Sequence, residues 1–501
     1  MLPSTCEDRT EFSCEQLLWR EGGRSETIPG QATQLAVRDF VTDSVHVTLS
    51  LTEEGISWRN LVDTSEVTLT WSDVITCHRG QVSPKTPTEI IGDLDNNKGF
   101  TLHFIDKQAN RVWRHKHKTF LSNGTNFEDI LSTVQEKSKK DRPSRLLVLI
   151  NPVGGPSGQG EAQYRRVVAP LFRLAKIDTE VIVSQSPSHP EELGNTFDFS
   201  RVTGVVVAGG DGTLQKLLHT LLPRIQKDAG IQIGTTDADL KALPFPVGMI
   251  PTGTQNGIAK ELCGSDDIET AALNIITGCR TFKNIASISQ GNEHLGFTGV
   301  IFGHGFWSEI MEYIEDRRLG RLRFLLAMIA IFWRSRSEFN IRIDYLPYEP
   351  QTGGSDVDNS TVETEPVWKT IEGRYTGLMC FPTLVRPQKN TPKGVFDVNA
   401  EAMTLLMEKQ CGRLTFISYM NKLTELHRDT FSYDFVTTLQ VKSFRLRVIP
   451  EEGSTDRVTR LERAVSLDGE VYKVEAGDLD VTVRLHRNLL EMFGAGTIAE
   501  E

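Results

Sequence analysis

The sequence has no Cys-x-x-Cys pair; its seven cysteines (Cys6, Cys14, Cys77, Cys263, Cys279, Cys380 and Cys411) are scattered and odd in number. That spacing excludes a disulfide framework and a structural zinc site, and it predicts a reducing compartment. A long apolar run is also missing. The longest, Phe324–Trp333, is ten residues, well short of the ~20 that span a bilayer. The first residues lack the basic-then-apolar order of a secretory signal. The expectation is a cytoplasmic chain that crosses no membrane. Positive charge is not in excess: 55 Lys and Arg against 66 Asp and Glu leave a net −11, the wrong sign for a protein that coats nucleic acid. The phosphate-binding pattern GxxxxGK[ST] is absent, as is the full GxGxxG dinucleotide fingerprint.

What is present suits a globular chain. The 501 residues are 39% hydrophobic and 24% charged, enough for about three domains at ~150 residues each. Residues 1–25 are polar and read as a flexible tail. Residues 26–138 have β texture, with strands over Val45–Leu51, Glu66–Thr70, Val74–Arg79 and Gly99–Phe104, closed by an amphipathic helix over Asn126–Lys137. That order suits a pleckstrin-homology-like domain, although texture alone fits any small β domain. The charged stretch Lys137–Arg145 marks a boundary.

From 144 to 284 the rhythm becomes β-α. Apolar strands at Arg145–Ile150, Glu180–Val183, Gly204–Val207 and Pro246–Ile250 alternate with helical patterns running to Leu174 and over Pro190–Asn195, Leu214–Leu222 and Ile258–Leu262. This spacing predicts an α/β domain with a doubly wound parallel sheet. Residues 285–495 read as mainly β, with one helical stretch from Trp307 to Trp333 and a polar insert over 347–366 expected to be disordered.

Three glycine-rich turns each follow a predicted buried strand: Asn151–Gly160, Gly209–Thr213 and Pro251–Asn256. In an open parallel sheet such turns converge on one crevice. Glycines there let backbone N–H groups approach an anion, and the following helix adds its positive end. One glycine turn is only a tight turn; three at one sheet edge favour a polyphosphate site. Asp211 lies inside the second turn. A carboxylate facing phosphate is repelled unless a cation or a proton transfer uses it, so its candidate roles are to take a proton from an attacking hydroxyl or to help hold Mg²⁺. Asp as a plain turn former explains an Asp-Gly pair but not its company.

VAGGDGT (207–213), with NPxGG from Asn151 and PxGTxN from Pro251, resembles the diacylglycerol kinase catalytic domain family. Within it the chain looks most like the sphingosine and ceramide kinases, and ceramide kinases in particular. GHGF (303–306), RRLG (317–320) and LDGE (467–470) are further matches. The resemblance implies an α/β nucleotide-binding domain followed by a β-sandwich lipid-binding domain, with ATP and Mg²⁺ as cofactors and Ca²⁺ as a candidate stimulant. Asp211 would be the general base toward the primary hydroxyl of ceramide. Asn151, Pro152, Val153, Gly154, Gly155, Ser184, Gly212, Lys216 and Thr254 would line the nucleotide. Arg317 and Arg323 would reach the phosphates, and Asp468, Gly469 and Glu470 would complete that site. Gly209, Gly210, Asp211 and Gly212 would face the lipid head, with Glu309, Met311 and Glu312 further along the substrate; no metal ligand is assigned.

The chain departs from the family in three ways. No Lys follows the first Gly pair, Lys216 stands where relatives commonly carry Glu, and Met311 stands where sphingosine kinases place an Asp against the substrate ammonium. An apolar residue there suits an uncharged amide better than a cationic base, because an unpaired buried carboxylate is costly. Alternatives are a sphingoid-base or diacylglycerol kinase, an inactive lipid-binding scaffold, and a nicotinamide-nucleotide kinase. The lipid requires peripheral membrane docking, with phosphoinositides as candidate partners. The expected docking element is a basic loop over Lys107–Lys118 with Trp113 as interfacial anchor and His115 and His117 facing solvent. The six arginines between Arg317 and Arg336 more simply cap a core helix.

Overall fold

The computed structural model describes residues 34–494, apart from 44, 80, 83–87, 89, 92–98, 109–110, 123–125, 155–157, 235–238, 255, 316–335, 350–366, 388–393, 398–399, 425–426, 452, 454 and 475–476. The flexible tail, Gly155, Arg317, Arg323, the apolar run Phe324–Trp333 and most of the 347–366 insert therefore lie outside the described residues.

Seven strands form the N-terminal sheet: β1 Gln34–Thr42, β2 Val45–Thr52, β3 Gly55–Asn60, β4 Glu66–Thr70, β5 Val74–Arg79, β6 Gly99–Lys107 and β7 Trp113–Ser122, in the order β4-β3-β2-β1-β7-β6-β5. All its pairings are antiparallel. Phe40, Trp58, Phe100 and Phe120 fill its interior, and helix α1 (Glu128–Lys137) packs Ile130, Leu131 and Val134 onto it. The expected loop over 107–118 is instead the end of β6, a short turn and the start of β7.

The next four strands, β8 Arg145–Ile150, β9 Asp178–Val183, β10 Gly204–Gly209 and β11 Val247–Pro251, are parallel in the order β9-β8-β10-β11. Their alternate residues enter two different cores. Leu147, Val205 and Met249 meet helices α2 (His189–Thr196), α3 (Asp211–Asp228) and α4 (Gly257–Cys263) on one face. Leu146, Val206 and Ile250 meet Phe172 and helix α5 (Ile268–Thr277) on the other. Burial on both faces is why β8, β10 and β11 read as nearly unbroken apolar runs, whereas the edge strand β9 stays partly exposed.

The same sheet continues with β12 Arg280–Gln290, β13 Glu293–Thr298, β14 Phe302–Gly305, β15 Phe339–Pro347, β16 Lys369–Tyr375, β17 Gly377–Phe381, β18 Met403–Glu408, β19 Val436–Ile449, β20 Ala464–Leu467, β21 Glu470–Lys473 and β22 Asp480–Phe493. Helices α6 (Phe306–Glu315), α7 (Arg413–Thr424) and α8 (Asp456–Glu462) lie among them. One hydrogen-bonded sheet runs through both regions, because β22 pairs with β12 and β19 and also, at Met492, with Val247 of β11. β12 itself runs across residue 284.

The N-terminal sheet docks on α5 through β7. Trp113 donates its N–H to Thr270 Oγ1 at 3.0 Å, Arg114 forks onto Asp267 and the His115 N–H reaches Glu269 at 2.7 Å. Trp113 packs against the core between the parallel strands and α5, beneath the Lys107 ammonium. It is thus a contact between two parts of the chain, which corrects its expected role as a membrane anchor. His115 is corrected as well: its Nε2 lies 2.8 Å from His103 Nδ1, while His117 is exposed.

Candidate active site

The second and third glycine turns leave β10 and β11 at neighbouring positions and press together: a Cβ on Gly253 would collide with the Gly210 backbone. Gly210 is the N-cap of α3, and Asp211 is the first residue of that helix. Its carboxylate crosses to the next helix, where Oδ2 accepts the Gly257 N–H at 2.9 Å and Oδ1 the Ile258 N–H at 3.0 Å. Two helix N-termini thus meet at one carboxylate, which takes up two N–H groups that a helix start leaves without intrahelical partners. Each oxygen keeps a lone pair free, so the side chain is oriented yet able to accept a further proton. Asn256, left-handed at φ 52°, shapes the third turn by bonding both backbone groups of Gly253.

The first turn is held from within. Asn151 Nδ2 donates to Thr213 Oγ1 at 3.0 Å and its Oδ1 accepts the Val153 N–H. Pro152 and Gly154 continue this turn, with Val153 77% exposed. Thr252 is buried close to Gly154, and its Oγ1 has no hydrogen-bond partner among the described residues. Ser184 closes the end of β9 by donating to the Ser186 carbonyl. Gly212 and Thr254 are exposed beside the turns, and Gly209 is buried under Thr213.

LDGE arrives from far along the chain. Asp468 is left-handed at φ 51° and accepts four hydrogen bonds: from Thr298 Oγ1 at 2.5 Å and from the N–H groups of Gly299, Val300 and Ile301 at 2.7–2.9 Å. Burial pushes its carboxyl above the ordinary aspartate range, opposed by those four donors. Asp468 is therefore a pin for the 298–301 loop rather than a free carboxylate. Gly469, at φ 101°, occupies backbone space that a side chain resists. Glu470 reaches the catalytic lobe: Lys216 Nζ lies 3.3 Å from its Oε1 and 3.7 Å from Glu191 Oε1. The Lys216 ammonium thus sits between a carboxylate of α2 and one of β21.

Residues expected along the lipid divide by direction. Arg457 forks onto Glu309 at 2.7 and 2.8 Å, while Arg460 and Lys473 hold Glu312 at 3.2 and 2.7 Å. Both glutamates face cations on α8 and β21, so the structure places them in ion pairs rather than toward a substrate. Met311 turns the other way, against an aromatic cluster that includes Phe306, Trp307, Phe416 and Tyr419.

Four residues near the site have no signal in a linear reading. Lys283 and Glu261 form an ion pair at 2.6 Å with side chains 1% and 6% exposed. Burial raises the Glu261 carboxyl, Lys283 opposes the rise, and the nearby Asp211 and Asp468 add to it. His219 of α3 and Tyr472 of β21 meet at 2.5 Å.

Residues 145–288 match the family model of the diacylglycerol kinase catalytic domain. The chain is 25% identical over 458 residues to the ceramide kinase of Homo sapiens, covering 80% of this chain and 84% of that protein. It is 27% identical over 364 residues to sphingosine kinase 2 of Arabidopsis thaliana, covering 66% and 69%. A diacylglycerol kinase crystal structure from Bacillus anthracis str. Sterne aligns with a TM-score of 0.44 at 16% identity, covering 71% of this chain and 98% of that one.

Proposed function

We infer, from a chain that carries a diacylglycerol kinase catalytic domain over residues 145–288 and is thereby an ATP-dependent lipid kinase, that the acceptor is the primary hydroxyl of ceramide and that Asp211 is the base. The observation that carries the choice of lipid is the state of α6. A sphingoid base presents an ammonium that needs a carboxylate, but Glu309 and Glu312 are both engaged by cations and Met311 packs on aromatic rings. An amide-capped lipid leaves no charge to satisfy. Similarity to ceramide kinase over 80% of this chain supports the same reading.

In the reaction, the lipid hydroxyl oxygen bonds to the γ-phosphorus as the bond to the ADP oxygen breaks, and the hydroxyl proton passes to a free lone pair of Asp211. The N–H groups of Gly257 and Ile258 fix that carboxylate in one orientation. Catalysis rests on positioning more than on covalent work. The glycine turns, together with the partnerless Thr252 hydroxyl, fit a nucleotide. Mg²⁺ bound by the nucleotide would neutralise phosphate charge, and Asp211 is the carboxylate placed to assist. Among the described residues no group of three or more His, Cys, Asp or Glu side chains is placed to hold a metal ion.

The domain reading is a pleckstrin-homology-like unit over 26–138, the kinase unit over 144–284 and a β-sandwich lipid-binding unit over 285–495. Among the described residues no helix is long and apolar enough to cross a membrane, so peripheral docking is the proposed route to the lipid. With Trp113 engaged internally, the β3–β4 turn is the better anchor. Leu61 and Val62 are 55% and 81% exposed there, in a turn whose backbone is fixed by Asn60 Oδ1 accepting the Val62 N–H and Asp63 Oδ1 accepting the Ser65 N–H. Leu61→Asp with Val62→Asp is expected to reduce sedimentation with anionic vesicles at unchanged melting temperature; equal sedimentation rejects this anchor.

Labelled ATP offered with ceramide, sphingosine, diacylglycerol and NAD tests the whole reading. Transfer to ceramide is expected, and it should vanish in Asp211→Asn while nucleotide binding persists. Nucleotide binding without transfer to any acceptor would instead favour an inactive scaffold, for which Lys216 is the suggestive residue.

A further inference from the structure

The hairpin that carries Asp468 and Glu470 makes a second contact with the catalytic lobe, one helical turn beyond Lys216. His219 on α3 lies against β13 at Gly296, where any side chain would collide with its ring. Its Nε2 is 2.5 Å from the Tyr472 hydroxyl, and its Nδ1 is buried with no partner among the described residues. The same hydroxyl stands 3.4 Å from Glu470 Oε2, and the opposite oxygen of Glu470 faces Lys216. Glu470 is therefore held between an ammonium and a phenol, and the phenol is shared with an imidazole.

We propose that Tyr472 and His219 are positioning residues that set the direction of Glu470 in the lipid-kinase reaction, an inference that rests on the lipid-kinase reading above. A tyrosine hydroxyl has one proton to give. With His219 neutral and its Nε2 unprotonated, that proton goes to Nε2, the nearer acceptor, and the Glu470 carboxylate is left to face Lys216. When His219 gains a proton, Nε2 becomes a donor, and the hydroxyl turns its proton onto Glu470, drawing the carboxylate away from Lys216. The neutral imidazole is thus the working state. The groups that face His219 are Tyr472 and Glu470 on β21, Asp468 at the hairpin tip, Glu191 on α2, His294 on β13 and Lys216 on its own helix. Burial lowers its pKa below the ordinary 6.5, while Glu470, Asp468 and Glu191 act the other way. The couple therefore holds at neutral pH and releases as the pH falls.

The test is a pH profile of ceramide phosphorylation for the full-length protein and two variants, Tyr472→Phe and His219→Gln. Tyr472→Phe is expected to lower kcat about tenfold while KM for ATP changes less than about twofold, since a positioning loss falls on the transition state. His219→Gln retains an acceptor for the hydroxyl but cannot take a proton. It is expected to keep most of the rate near neutral pH and to lose the part of the acid limb that His219 contributes. The melting temperature of each variant separates this from a merely structural role, which would lower stability without reshaping the profile. A wild-type kcat in Tyr472→Phe, or an unchanged acid limb in His219→Gln, overturns the couple. Wild-type protein that transfers phosphate to none of the lipids overturns the lipid-kinase reading itself, a different and separately visible result.

Discussion

Two buried carboxylates show how differently burial acts on single residues. Glu261 has a lysine 2.6 Å away, which opposes the rise that burial imposes on its carboxyl. Removing one partner of such a pair leaves the other uncompensated. Lys283→Met is therefore expected to lower unfolding stability by about 3–5 kcal/mol in urea titrations, typical of a broken buried pair. Glu408 is instead held by neutral donors, Trp307 Nε1 and the Tyr419 hydroxyl, and burial pushes its carboxyl up to about 7. The unfolded chain releases this proton near 4.5 and the folded protein near 7. Stability from this group is thus complete below about 4.5 and is lost as the pH rises through about 7. Glu408→Gln should gain stability relative to wild type between pH 5 and pH 8 in thermal melts; a constant difference across that range contradicts the assignment.

Among elements, three adjacent N-terminal strands each contribute a histidine to one chain of rings. His78 Nδ1 donates to the Arg79 carbonyl, so its Nε2 accepts from His103, whose Nδ1 in turn accepts from His115. All three are neutral in this arrangement, and burial lowers each pKa, with His103 at about 2 and His115 at about 4. Groups lowered in this way contribute stability above 6.5 that is lost as the pH falls toward the folded values. Lys176 and His117 are the charged or titratable neighbours that oppose protonation further. The N-terminal sheet is accordingly expected to loosen before the kinase lobe between pH 6 and pH 4, seen as faster amide exchange in β5–β7 than in β8–β11.

This sheet also marks the limit of what a linear reading gives. β8, β10 and β11 are legible because burial on both faces leaves only apolar residues. β7 (WRHKHKTF) conceals its strand, because its half-buried His115 is satisfied by His103 of β6, its His117 is exposed and its first residues dock on α5. Strands β1 and β3 and helices α7 and α8 likewise escape sequence patterning. At the site, the glycine turns and Asp211 are local motifs and can be found. Lys216–Glu470 and His219–Tyr472 join residues more than two hundred and fifty positions apart, and no local pattern encodes such a meeting.

At the scale of the whole molecule, the catalytic sheet is not closed by its own segment. Leu489, Leu490 and Met492 of β22 complete the core under α3 and α4, and Phe493 enters the core on the opposite face. A fragment of residues 145–288 should therefore bind the dye ANS and melt without a cooperative transition, whereas residues 34–494 should melt cooperatively. Sharp melting of the short fragment would show that β22 is dispensable.

The position of β22 also orders events during synthesis. A ribosome that has finished the glycine turns and Asp211 has still to deliver the strand that seals the sheet behind them. Nascent kinase therefore waits, half-built and without phosphotransfer, until residues 480–493 leave the exit tunnel. A premature stop anywhere before them would yield no partial enzyme, only a substrate for chaperones and proteases.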